Sequence, residues 1–292
     1  MSFARLDPLL PDAVDPGEGE RLTATVAGGG EVSAVLYRAR HDGWSALWHP
    51  RLVWELAPVS PDTGTDGMSA LLTALRRRMR RENPGPDSAC SVTWPSRDLA
   101  AAEALVLHGF APRAVLAVRK ATRESGEVPD SRVGVEIRSV ADDALVDDLH
   151  ELWLAEWRYA VSVGAAVPRD DAPELLEGAL RRAVSVGEPM WVAEADGVVV
   201  GLALCRHPAP HPRLPSGSWA QVHTVSVAPE ARGRGVGRAL TAVAHERFRA
   251  RGAHGTYVFY SPHNALSSVF WHRRGYHPLW TTWEARPATA VR

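Results

Sequence analysis

Residues 229–248 read PEARGRGVGRALTAVAHERF: a proline and an acid, arginines alternating with glycines, then a run of good helix formers. Directly upstream, VHTVSVA at 222–228 has the β-branched content of a strand. The stretch is therefore strand, glycine loop, helix. A helix N-terminus offers unpaired backbone N–H groups and partial positive charge, which suits a phosphate. Gly233, Gly235 and Gly237 let the backbone curl around an anion without Cβ interference, while Arg232, Arg234 and Arg238 add charge-assisted contacts. This reads as a pyrophosphate site. The dinucleotide fingerprint GxGxxG does not fit, because its third glycine falls on Arg238 or Leu240, and a nucleoside-triphosphate loop would need a GK[ST] ending. A solvated arginine-glycine turn remains the competing reading of these residues alone.

Working outward, VEIRSV, PMWVAEA, GVVVGLALCRH, WAQVHTVSVAP, GTYVFYSP and a terminal stretch near HPLWTTWEA read as strands. ALVDDLHELWLAEWRYAV, APELLEGALRRAVSVG, GRALTAVAHERFRARG and NALSSVFWHRRG read as helices. The short ADG between two of the strands is a hairpin signal. Upstream, EVSAVLYRAR, WSALWHPRLVWEL, SACSVTW and AVLAVRK read as strands. GMSALLTALRRRMRREN and DLAAAEALVLHG read as helices, the latter with Asp98 as N-cap and Gly109 as C-cap. The polar stretch ATRESGEVPDSR, 121–132, is the clearest break in composition and marks a domain boundary. An α+β architecture of two units, 1–124 and 133–292, follows.

The chain has 292 residues, a formal net charge of -1 and 45% hydrophobic residues, enough for two ordinary cores and without the basic field of a nucleic-acid or anionic-membrane binder. Cys90 and Cys205 are the only cysteines and lack ligand spacing, so no disulfide framework or metal site is expected, and both read as buried small apolar residues. The N-terminus has no apolar signal region and no run is long enough to span a bilayer, which reads as a cytoplasmic protein. Lys120 is the sole lysine, so arginine is simply this chain's cation and an isolated arginine carries little functional weight.

Strand 222–229, the loop R-G-R-G-V-G and the later N-A-L-S-S-V-F-W-x-x-x-G-Y together resemble the GCN5-related N-acetyltransferase (GNAT) family. Its loop pattern Q/R-x-x-G-x-G/A is met by Arg232, Gly235 and Gly237; its later pattern is met approximately by Asn264, Ser267, Phe270, Trp271, Gly275 and Tyr276. The resemblance covers roughly residues 133–288. It implies acetyl-CoA as cosubstrate, held in a cleft between splayed strands. The backbone of Val225 and Val227 would pair with pantetheine, loop residues 232–238 (Arg232, Gly233, Arg234, Gly235, Val236, Gly237, Arg238) would hold the pyrophosphate, and Asn264 would lie near the pantetheine arm. The first unit resembles the family more weakly: LAAAEALVLHGFAPRAVLAVRK matches its last helix and strands, but PVSPDTGTDGMSALL offers Asp62 and Asp66 where a cofactor loop would stand. This reads as a degenerate GNAT-like domain that serves as a scaffold or wall, so the fold class becomes two GNAT-like domains, each a mixed, mostly antiparallel twisted sheet flanked by helices.

The implied reaction is acetyl transfer to the primary amine of a small molecule by direct attack in a ternary complex. Some family members carry a glutamate base where Gln221 stands here. Strand alternation places His223 on the face of Val225 and Val227, which makes it the candidate base; the alternative is a cross-strand hydrogen bond and no more. Many members carry a tyrosine acid where this chain has Trp271, whose indole N–H does not titrate, and Tyr260 is a nearby substitute. Trp153, Glu156, Trp157 and Tyr159 stand where the family builds its acceptor wall, against the plainer reading of a helix core. No metal is implied, and a homodimer is left open. A non-catalytic acyl-CoA sensor is the second reading and a dinucleotide oxidoreductase a distant third.

Overall fold

The computed structural model describes residues 2–121 and 134–292, so the boundary expected at 121–132 lies, apart from Ala121, outside the described residues. The first half contains β1 (Glu20–Thr25), β2 (Glu31–Arg40), β3 (Leu52–Pro58), α1 (Gly64–Glu82), β4 (Ser88–Pro95), α2 (Leu99–Leu107) and β5 (Ala111–Lys120). The second contains β6 (Glu136–Ser139), α3 (Val146–Ser162), α4 (Ala172–Ser185), β7 (Met190–Ala195), β8 (Val198–Arg206), β9 (Trp219–Val227), α5 (Val236–Ala250), β10 (Gly255–Tyr260), α6 (Ala265–Arg273) and β11 (His277–Ala285). The α+β class and the helix and strand order of the second half follow the sequence patterns. In the first half, WSALWHP is not strand: Gly43 has φ 53° and Gly43–Leu47 is a short 3-10 turn, with the strand beginning only at Leu52. Pro50, which has no N–H to give a ladder, separates the two.

Among the described residues, all eleven strands belong to one sheet, in the order β1-β2-β3-β4-β11-β5-β10-β9-β8-β7-β6. The order is palindromic about the β11–β5 pair, with β4 answering to β10, β3 to β9, β2 to β8, β1 to β7, and β6 extra at the far edge. The halves have exchanged their last strands. β5 runs antiparallel to β10 from Gly255↔Lys120 to Tyr260↔Val115, and β11 runs antiparallel to β4 from Trp280↔Pro95 to Ala285↔Cys90. The two half-sheets are thus joined edge to edge, and each lacks an interior strand without the other.

Strand alternation then sorts the cores. Val115 and Ala117 of β5 join Val236, Leu240, Ala244 and Phe248 of α5 on one face. Leu116 and Val118 turn the other way, as do Leu202 and Leu204 of β8, which meet Trp153, Trp157, Leu176 and Leu180 of α3 and α4. The single helical turn Gly43–Leu47 of the first half reaches this second face, where Leu47 is buried and Trp44 and Trp48 pack alongside.

Candidate functional site

β9 and β10 are parallel and pair only from Trp219–Gln221 to Gly255–Tyr257. Beyond these residues the ladder between the two strands ends, and a cleft of about 600 Å³ lies between the freed end of β9 and α6. Its walls are Val225 and Val227 of β9, the loop and first turn of α5 from Ala231 to Arg238, Asn264 and the inward face of α6, and Glu156 and Tyr159 of α3.

The loop gives α5 an open N-terminus. Gly233 and Gly235 have φ of 75° and 91°, the left-handed region in which a side chain is strained, and Gly235 is the N-cap with no side-chain hydrogen bond to the helix. The first-turn N–H groups therefore face the cleft without a cap, the arrangement that accepts an anion. Gly237 is not under the same constraint: a Cβ there would make an ordinary contact, 3.4 Å from the Phe270 ring of α6. Asn264 is buried and caps α6, its Oδ1 accepting from Ser267 N at 3.0 Å, which leaves its amide N–H groups for the cleft.

Arg232 is committed within the protein. Its Nε donates to Val227 O at 3.0 Å, its Nη2 stands 3.7 Å from Glu156 Oε2, and its guanidinium lies 5.6 Å from the centre of the Tyr159 ring. It braces the loop against β9 and α3. Burial pushes the Glu156 carboxyl up to about 7, and Arg232 only partly opposes that rise. Arg238, Arg273 and Arg274 also line the cleft, whereas Arg234 is exposed and outside the lining. The expectation for Arg234 is corrected, because the left-handed glycines on either side turn its side chain to solvent.

His223 is a second correction. The β8–β9 register shifts between Leu204↔Thr224 and Cys205↔Val222, so His223 is the extra residue of a β-bulge. The bulge reverses alternation: Val222, Val225 and Val227 all meet the α5-side core, while Ser226 Oγ reaches across to Leu152 O of α3 at 2.8 Å. His223 lies on that α3 side, outside the cleft lining, with ring centres of Trp44 and Trp153 each 6.0 Å away and its Nδ1 buried without a partner. Burial, with a smaller push from Arg206, lowers it to about 3, too weak a base for an ammonium proton at neutral pH.

The acceptor wall divides along α3. Trp153 and Trp157 are 1% and 7% exposed and form core, so they do not line the cleft; Glu156 and Tyr159, on the adjoining face, do. Trp271 lines the cleft and is fixed edge-on between Phe270 at 4.8 Å and Tyr276 at 5.0 Å. Tyr260 is half-buried at the end of β10, packed toward the α5-side core and not among the lining residues; burial raises its phenol. Sequence reasoning gave no weight to Tyr257, Phe259 and His211. On the face opposite α5, Tyr257 OH donates to Gln221 Oε1 at 3.5 Å, and the His211 ring lies 5.6 Å from that of Phe259. Phe259 is on an interior strand yet 44% exposed, so no helix covers the sheet there. The alternation of GTYVFY holds that signal, but only the uncovered sheet gives it meaning.

The first half has the corresponding strand split: β3 and β4 pair in parallel only from Leu52–Glu55 to Ser88–Ser91. There α1 packs directly on α2, and Thr65 Oγ1 donates to Ala100 O at 3.1 Å, joining the two helix starts. The gap that forms the cleft in the second half is closed. Among the described residues no group of His, Cys, Asp and Glu could hold a metal ion, and no helix is long and apolar enough to cross a membrane.

Residues 146–276 match the family model described as Acetyltransferase (GNAT) family. A mycothiol acetyltransferase of Frankia alni is 31% identical over 209 residues, 67% of this chain and 59% of its own length. One from Frankia casuarinae is 30% identical over 66% of this chain and 56% of its own length, so the chain spans less than two thirds of either relative. Among solved structures, a tandem GNAT protein from the clavulanic acid biosynthesis pathway aligns over 91% of this chain and 83% of its own, with 18% identity and a TM-score of 0.51. A GCN5-related N-acetyltransferase from Sphaerobacter thermophilus aligns over 92% and 82%, with 15% identity and a TM-score of 0.51; both likenesses concern the fold. The family's cosubstrate is acetyl-CoA, and an uncapped helix start beside clustered arginines has the donors its pyrophosphate needs. With the parted strands, the glycine loop and the match over 146–276 in agreement, the chain belongs to the GNAT acetyltransferase family.

Proposed function

We propose that the chain is an N-acetyltransferase that moves the acetyl group of acetyl-CoA to the primary amine of a small molecule by direct attack. The observation that carries this reading is the open cleft along the freed end of β9, with the α5 N-terminus on one wall and α6 on the other, and uncovered sheet at Phe259 beyond it. Backbone N–H groups of residues 233–237 hold the pyrophosphate, the parted edge of β9 at Val225 and Val227 offers pantetheine a strand to pair with, and Asn264 donates to the arm. The amine enters from the side of Tyr257, Phe259 and Gln221. Its nitrogen bonds to the thioester carbonyl carbon, the C–S bond breaks and the thiolate leaves.

The attacking nitrogen must first lose a proton. Glu156 is the cleft carboxyl whose raised pKa suits that transfer near neutrality, and it stands on the cleft wall that α3 supplies. Trp271 supplies an indole N–H but no titrating proton; a thiol with an ordinary constant near 8.5 leaves readily without one. The first half, with its own strand gap closed, contributes walls and the strand β5 and binds no cofactor of its own.

The second reading is a non-catalytic acyl-CoA sensor, favoured by the withdrawal of His223 from the cleft and by Trp271 in place of a tyrosine acid. Release of free thiol from acetyl-CoA in the presence of a panel of amines separates them. Amine-dependent release supports the transferase; saturable acetyl-CoA binding without release from any amine supports the sensor.

A further inference from the structure

The two edges of the sheet are finished differently. At one end β6 is four residues long and carries two charges, Glu136 and Arg138, with Arg138 Nη2 standing 2.6 Å from Glu194 Oε1 of β7. A short, charged strand gives an incoming strand little to pair with. At the other end β1 is six residues long and keeps unbroken register with β2 from Glu20↔Leu36 to Thr25↔Glu31. Its charges, Glu20 and Arg21, sit at one end, and residues 22–25 bring no charge, proline or bulge to the outer side. In the palindromic strand order β1 answers to β7, whose outer side is paired with β6; the corresponding place beside β1 is taken by no described strand. The backbone N–H and C=O groups on that side are open to a further strand.

A groove of about 590 Å³ lies along this edge, between β1 and α1 and apart from the cofactor cleft. On α1 it is lined by Asp66, Ser69, Ala70, Thr73, Ala74 and Arg77, which share one helix face by their spacing. The four inner residues are small and half-buried, while Asp66 and Arg77 are exposed and have no ion-pair or hydrogen-bond partner among the described residues. Glu31 lines the groove at the Asp66 end, next to the Val32 side chain that Gly67 meets. Taken singly these residues are ordinary surface: Asp66 suits the helix dipole and Arg77 belongs to a run of arginines. Their signs make the difference. One end of the groove is acidic and the other basic, so the face attracts its own copy when that copy is reversed, whereas a face of one sign would repel it.

We infer that β1 and α1 form a dimerisation face. A second copy, related by a two-fold axis perpendicular to the sheet, adds its β1 antiparallel to this one and lays its α1 antiparallel along this α1. Asp66 then meets Arg77 of the second copy at both ends, and Ser69, Ala70, Thr73 and Ala74 meet across the middle. One operation satisfies both layers. Paired strands lie about 4.8 Å apart, and α1 rides over β1 and β2 of its own sheet, so the two helices stand about two strand spacings, roughly 10 Å, from each other. That is a helix packing distance, and small side chains let the helices approach to it. The contact is isologous and closes after two copies. The cofactor cleft at β9, in the other half of the sheet, stays open.

Size-exclusion chromatography with light scattering on the full chain tests the face, independently of any acetyl transfer. The parent should have twice the chain mass and dissociate on dilution. Asp66→Arg and Arg77→Asp each place like charges together at both ends of the helix pair, so each should weaken the dimer by at least about tenfold. The double variant, Asp66→Arg with Arg77→Asp, exchanges the charges and should restore it. Circular dichroism should show parent-like helix content in all three, both positions being exposed. A parent that stays monomeric across micromolar concentrations overturns the inference. So does a dimer that neither single variant weakens, or a double variant no better than the single ones.

Discussion

Oε2 of Glu156 stands 3.7 Å from Nη2 of Arg232, yet burial still holds the Glu156 carboxyl near 7. The pair is off contact distance and Arg232 is shared with Val227 O and Tyr159, so the cation offsets only part of the desolvation. The carboxyl consequently changes charge in the range where an amine must be deprotonated.

The acid limb of kcat/KM should therefore fall below a pH of about 7. Glu156→Gln should remove that limb and lower kcat by at least about a hundredfold, the lower end for loss of a general base. Stability moves in the opposite sense. A raised acid favours the folded chain below its ordinary value of 4.5, and that contribution is lost as pH rises through about 7, so Glu156→Gln should melt higher than the parent at pH 8. His223→Ala should leave the limb in place. A limb that survives Glu156→Gln and vanishes with His223→Ala would return the role to the histidine.

Gly235→Val should abolish acetyl-CoA binding, because φ of 91° is strained for a β-branched residue and the N-cap would reorganise. Gly237→Ala should be much milder, its Cβ meeting the Phe270 ring at 3.4 Å. Calorimetry in which Gly235→Val binds as the parent does would show that the loop conformation is not what holds the cofactor.

One acetyl-CoA should bind per chain. The α1–α2 contact and the Thr65–Ala100 hydrogen bond occupy the place of a second cleft. Titration to two equivalents by native mass spectrometry would contradict the closed first half.

A fragment of residues 134–292 should not fold alone. It would lack β5, leaving β10 unpaired from Gly255 to Tyr260 on one side, and β11 would lose both its partners, β4 and β5. Such edges template aggregation. Size-exclusion chromatography with circular dichroism checks this; a monomeric, folded fragment that binds acetyl-CoA would show the strand exchange to be dispensable.

The glycine loop, the helix after it and the strand before it were legible because each is local. Gly233, Gly235 and Gly237 announce backbone geometry at their own positions, and the apolar spacing of α5 announces its buried face without reference to any partner. The same holds for Asp98, whose side chain accepts from Ala101 N as the expected cap.

What required the tertiary structure were facts that belong to pairs. Alternation along VHTVSV places His223 correctly only if β8 and β9 keep register, and the bulge that breaks it depends on Leu204 and Cys205, about twenty residues away. Trp153, Glu156, Trp157 and Tyr159 share one helix pattern, and only the packing of α3 over Leu202 and Leu204 decides that the tryptophans are core while Glu156 and Tyr159 face the cleft. The elevated Glu156 carboxyl follows from that burial. The strand exchange is the furthest from sequence: β5 reads as a strand from its own residues, but its place between β11 and β10 is set by hydrogen bonds to residues more than a hundred positions downstream. Backbone pairing is nearly blind to side-chain identity, so a strand's sequence can fix that it pairs and which face it buries, while the assembled sheet decides with whom.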